Sequence, residues 1–267
     1  MNQLKGVFQT TKKDGTVYYR SSITYRSKHI SLGSFDTAKS CHEAYLEAEK
    51  ILKDFSQTIE RYDIHTLSFE KAVCLLNFRD NKLYSPNPIY MHKNFFRYYL
   101  ERDEFLTFDT DDLFYYAKHK IMRRGGHLFV ADYGMQISIL SRYGIQSYAV
   151  LGRDYVFKNG DTSDFRYANI QILNPYHGVL LINAQGKTKY RTVIHINGNI
   201  IVGTYQQITH AAIAYNKAID ILKSKGLQKN YPINYIEGLS PSSYADIYSQ
   251  IKISDKICNY SEPCKKL

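Results

Sequence analysis

Two stretches of the chain alternate apolar and polar residues with the period of two that marks a half-buried strand, and each leads into a stretch with helical spacing. In the first, VYYRSSITY (Val17 to Tyr25) passes through a turn at Arg26-Ser27-Lys28 into HISLGSF, and Thr37 stands where an N-cap precedes AKSCHEAYLEAEKIL. On that helix Cys41, Ala44, Tyr45, Ala48, Ile51 and Leu52 recur at i, i+3 and i+4, an apolar stripe that a sheet face must cover. In the second, TKYRTVIHI, a turn at Asn197-Gly198 and IIVGTY repeat the pattern, Asn-Gly being a strong two-residue hairpin signal. Thr209 is the expected cap of AAIAYNKAIDIL, whose Ala212, Tyr215, Ala218 and Ile219 form the matching stripe.

The two stretches read as copies of one unit. Gly6-Val7 matches Gly178-Val179 at an offset of 172 residues (178 − 6), and Arg20 and Ile23 match Arg191 and Ile194 at 171. Gly33, Ala44-Tyr45 and Ala48 match Gly203, Ala214-Tyr215 and Ala218 at 170. The offset falls by one at each loop and never inside an element, as a duplicated fold requires. Each copy is expected as a three-stranded antiparallel sheet on one helix, with the second sheet face left free.

The Gly-Val start, the strands through Ile23 and Ile194, the run from Leu32 to Thr37 and the following Ala44-Tyr45 resemble the APETALA-two/ethylene-response-factor DNA-binding family. The resemblance covers residues 6–52 and 178–222 and is stronger in the first copy. It implies a sheet laid in the DNA major groove with the helix behind it. Counting from Ile23 puts Arg20, Ser22, Thr24 and Arg26 on or near the open face, with Lys28, His29 and Ser31 entering from the hairpin and third strand. From Ile194 the equivalents are Arg191, Val193, His195, Asn197 and Asn199, supported by Lys187 and Lys189. Arg suits guanine, Asn suits adenine and Lys suits phosphate. Phe8, Ser31, Leu180 and Ile201 stand where that family presents contact residues.

Between the copies, LSFEKAVCLLNFRDNK has helical character, SPNP (Ser85 to Pro88) has turn chemistry, and FFRYYLER (Phe95 to Arg102) is read as a helix with a basic side or as aromatic core. Further on, KNGDTSDFRYANI resembles the end of the HNH homing-endonuclease motif. An HNH site needs a metal ion at the leaving oxygen and a His to deprotonate water. Asn159-Gly160-Asp161 fixes the register, and it puts Phe157 at the His position, Val156 at its Asp neighbour and Phe165 at the first Asn of D-N-R. Asp164, Arg166 and Asn169 remain. The expectation is a ββα scaffold without catalytic residues, metal or cofactor, in which Asp164 and Asn169 hold the fold and Arg166 holds a phosphate or a carboxylate. A working nuclease would have to recruit His119, His127 or Asp154.

Charge agrees with a polyanionic partner: 35 Lys+Arg against 25 Asp+Glu leave +10, and 25 Tyr add stacking surface. No run approaches the roughly 18 apolar residues of a membrane helix, and MNQLKGVFQTT does not read as a signal peptide, so a cytoplasmic protein without a membrane partner is expected. Cys41, Cys74, Cys258 and Cys264 lack zinc-site spacing; the last two are near in sequence and expected as free thiols.

The sequence therefore implies an α+β protein divided at 1–55, 56–122, 123–175, 176–236 and 237–267. The expected function is double-stranded DNA binding of phage or mobile-element type by a non-enzymatic derivative of an HNH homing endonuclease. Two rival expectations are an active metal-dependent site-specific endonuclease and an inhibitor that binds a host nucleic-acid enzyme.

Overall fold

The computed structural model describes residues 4–62, 65–184 and 186–261, and it has the expected α+β character. In the first copy β1 (Val7–Thr11), β2 (Val17–Tyr25) and β3 (Lys28–Phe35) form an antiparallel sheet in that order. The hairpin between β2 and β3 turns through Arg26 and Ser27, both at positive φ (46° and 62°), as a turn matched to the right-handed strand twist demands. Thr37 caps α1 (Ala38–Lys53) by accepting from the Ser40 amide, and α1 buries the six residues of the expected stripe. Ile23, Ile30 and Leu32 meet them from the sheet. α1 also packs against α2 (Phe69–Asn81), while its far side, with Leu46 and Lys50, is exposed; the outer face of the sheet takes no part in this core.

A second meander follows: β4 (Ile89–Met91), β5 (Phe95–Glu101) and β6 (Glu104–Asp109). The helix expected over Phe95–Arg102 is instead β5. Its aromatic residues favour the pleated sheet, and alternate side chains Phe96 and Tyr98 are buried on one face, Phe96 stacking on Phe108. The aromatic-core half of that expectation holds. Beyond lie α3 (Leu113–Lys118) and a third meander, β7 (Ile121–Arg124), β8 (His127–Asp132) and β9 (Met135–Ser138).

Two short strands, β10 (Tyr155–Phe157) and β11 (Ile170–Ile172), pair with each other. They supply the two strands of the expected ββα unit, but its helix is absent among the described residues. Only residues 173–178 separate β11 from the next strand, and Pro175 among them lacks the amide a helix would use. The chain divides into two compact units, one of residues 1–139 with 157–170 and the other of 140–156 with 171–267. The boundaries of these units fall within residues 123–175.

The second copy has β12 (Val179–Ala184), β13 (Lys187–His195) and β14 (Asn199–Tyr205) in the same order, then α4 (Ile208–Ser224). The helix begins earlier than expected: Gln207 is the N-cap, without a side-chain bond, and Thr209 lies in the first turn. The offset of 170 that joins Gly33 to Gly203 also joins Thr37 to Gln207, so the connection is conserved and the capping residue is not. The tail is part of this unit. Asn216 and Asn234 exchange side-chain and backbone hydrogen bonds at 2.8 Å, and α5 (Pro241–Gln250) and α6 (Asp255–Cys258) pack on α4. That extra cover buries Ile213 and Asn216, whose first-copy counterparts Glu43 and Leu46 are not buried, whereas Ala211 and Leu222 match buried Cys41 and Leu52 of the sheet-facing stripe. Lys217 seals the end of α5 by donating to the Tyr248 and Ile251 carbonyls. Cys258 is an exposed free thiol, and Cys264 lies outside the described residues.

Candidate nucleic-acid interface

Strand alternation and the buried helix together decide which side chains face outward. On β2 Ser21 and Ile23 are buried, so Arg20, Ser22 and Thr24 project from the other face. Pairing brings Phe8 and Ser34 beside Arg20, Ser31 beside Ser22, and His29 beside Thr24. Phe8, Thr10, Arg20, Ser22, His29 and Ser31 line one shallow depression on this face. Two expected members depart from it. Lys28 has the parity of buried Ile30 and turns to the helix side, its ammonium 5.4 Å from the Tyr84 ring. Arg26 is at the hairpin tip, its guanidinium 5.5 Å from the Tyr25 ring. Parity along β3, rather than nearness in sequence, separates Lys28 from His29.

The second face repeats the first position by position. Arg191 is flanked by Leu180 and Thr204 as Arg20 is by Phe8 and Ser34. Both sheets carry a β-bulge at the same place, between Ser21 and Ser22 in one and between Thr192 and Val193 in the other. In each, the skipped residue of the third strand, Leu32 or Val202, is buried. Past the bulge Val193 lies opposite Ile201 and His195 opposite Asn199, whose amide oxygen is 3.0 Å from His195 Nδ1. Lys187 and Lys189 share the open face, and Asn197 is exposed at the turn. Arg191 Nε is buried without a hydrogen-bond partner among the described residues, so a donor on this face is unspent.

The electrostatics are one-sided. None of the six strands of the two sheets contains Asp or Glu, and residues 165–219 contain none at all. Asp14, in the β1–β2 turn, bonds the Thr16 amide. Asp36 follows the end of β3, and the other acids of the first copy sit on α1 and are engaged: Glu43 with Lys39, Glu49 with Lys5 and Lys53, Glu47 with the amides of His65, Thr66 and Leu67. Lys252 and Lys256 line a groove along β14 together with Ile201. Both lysines lie in the tail, where no sequence pattern marks them; only the packing of α6 brings them to the sheet.

The HNH-like loop is occupied with holding itself together. Phe157 is buried with its ring edge-on to Phe165 at 5.4 Å, and Phe165 stacks on Phe108. Asp164 is 3% exposed. Burial pushes its carboxyl up, but bonds from the Arg166 guanidinium and the Asn159 amide outweigh this and hold it below the ordinary carboxylate value. Asn169 ties the Asn159 amide to the Asp164 carbonyl. Arg166 therefore grips a carboxylate of its own loop. His119 is stacked on Tyr115 and faces Asp132, and His127 is exposed at the start of β8; neither lines the cavity around Asp164. Asp154 belongs to the other unit, where Arg153, Asn174 and the Val150 amide surround its carboxylate. Asp161, exposed in the same loop, accepts the Ser163 amide and hydroxyl on one oxygen, and Asp109, which lines the cavity with Asp164, accepts from the Tyr167 amide. Among the described residues no group of three or more His, Cys, Asp or Glu is placed to hold a metal ion, and no helix is long and apolar enough to cross a membrane. No family model, curated protein or solved structure matches the chain.

Proposed function

We propose that the chain binds double-stranded DNA through the open faces of its two terminal sheets, without cleaving it. One observation carries this reading: two acid-free faces present an arginine at the same register position, each with a helix packed on the opposite sheet face. Three adjacent strands span about 10 Å, comparable with the ~12 Å width of the major groove. Arg20 and Arg191 reach base edges or phosphates from the middle of each sheet. Lys187 and Lys189, with Lys12 and Lys13 at the other copy's first turn, meet the backbone.

Exposed Phe8 (53%) and Ile201 (50%) favour a second reading, in which the same faces grip a host nucleic-acid enzyme. Salt separates the two. Binding to phosphates releases counterions and weakens steeply as salt rises, whereas an apolar protein contact does not. Titration of a labelled duplex against the protein at several salt concentrations is the test.

A further inference from the structure

The two faces share a backbone and an arginine, but one pair across their second and third strands changes from polar to apolar. Beside the bulge, Ser22 opposes Ser31 in the first copy, and Val193 opposes Ile201 in the second. The change continues onto the first strand, where Thr10 gives way to Ile182 while Phe8 and Leu180 are both apolar. Two hydroxyls can donate to or accept from any base edge. Two branched aliphatic side chains can do neither; a polar base edge desolvated against them loses its hydrogen bonds. In the major groove, the apolar feature of a base pair is the thymine C5-methyl group.

Resting on the duplex-binding reading above, we infer that the second sheet selects duplex with thymine under the Val193–Ile201 pair, and that the first sheet has no such requirement. Charge identifies the occupant. The pair is bordered by Lys189 and Arg191 on β13 and by Lys252 and Lys256 along β14, which fits a polyanion and repels a second copy of this chain at +10. An aliphatic patch inside a basic frame matches the major groove of a T-containing duplex, where a methyl group projects between two phosphate backbones.

The experiment uses the full chain and a duplex selected from a random library. Each thymine of the selected site is replaced in turn by uracil, which deletes the methyl group and keeps every hydrogen-bonding atom. At least one replacement is expected to weaken binding about four-fold, the worth of one buried methyl group. That sensitivity is expected to vanish in the V193S/I201S double variant, checked as folded by circular dichroism, and to persist in S22A/S31A. Both substituted pairs lie on open faces, away from the core. Binding indifferent to every uracil replacement, or a methyl effect that survives in V193S/I201S, would overturn the inference and leave the duplex-binding reading standing. Failure to retain any duplex would overturn both.

Discussion

The ring of Tyr45 lies so close against the backbone of Gly6 that a β-carbon at Gly6 would overlap it, and Tyr215 covers Gly178 in the same way. Both glycines are at positive φ, +75° and +68°, where a side chain is strained in any case. Each contact locks the first strand of its sheet to the helix behind it. Gly6→Ala and Gly178→Ala are each expected to destabilise by about 2–3 kcal/mol, with separate effects because they lie in different units. Denaturant unfolding checks this; a loss under about 0.5 kcal/mol would contradict the close packing.

This pair shows why the terminal folds were legible in the sequence. Gly6 and Gly178 press on the Tyr45 and Tyr215 rings, and Ala44 and Ala214 are fully buried, so packing ties together most of the residue types that repeat; Gly33 is set apart by its positive φ of +138°. The rest was less legible for physical reasons. Phe95–Glu101 carries aromatic residues that pack equally well from a helix or a strand, and only pairing with its neighbours decides. Thr209 looked like a cap because it is a good capping residue, yet chain length fixed the start of α4 at Gln207. Lys28 was placed on the open face by proximity, and strand parity turned it away. Lys252 and Lys256 gave no signal, since their place depends on the docking of Ile257 into the core.

Arg20→Ala and Arg191→Ala are each expected to weaken duplex binding roughly ten-fold. An arginine bonded to a base edge would lose sequence preference along with affinity, while one bonded to phosphate would lower the salt slope by about one. Binding curves at several salt concentrations separate the two, and unchanged curves in both variants would remove these faces from the interface.

Phe157→His restores the residue type that the HNH pattern places there. The imidazole would be buried against Phe165 without a partner, so a loss of about 2 kcal/mol of stability is expected. No Mg²⁺-dependent strand cleavage should appear, because the Asp164 carboxylate is held by Arg166 and Asn159. Nicking of a labelled duplex by the variant would contradict this account of the loop.

Asp164 makes stability depend on pH. Its folded-state carboxyl lies below the ordinary value of 3.8, so its contribution is fully present above about pH 4–5 and lost as pH falls through the lowered value. Asp164→Asn is expected to cost roughly 1–3 kcal/mol at neutral pH. Thermal melts of variant and parent should converge progressively as pH falls below the ordinary value of 3.8. A gap that stays constant across that range would show that the ion pair with Arg166 contributes nothing.

The most direct test of two-sheet DNA binding is fluorescence anisotropy of a selected duplex between about 50 and 200 mM salt, for the parent chain and the R20A/R191A double variant, with and without Mg²⁺. The expected result is saturable binding that declines steeply with salt, is lost in the double variant, and leaves the duplex intact. Binding that is flat with salt and untouched by the double substitution, or no binding at the lowest salt, would contradict it.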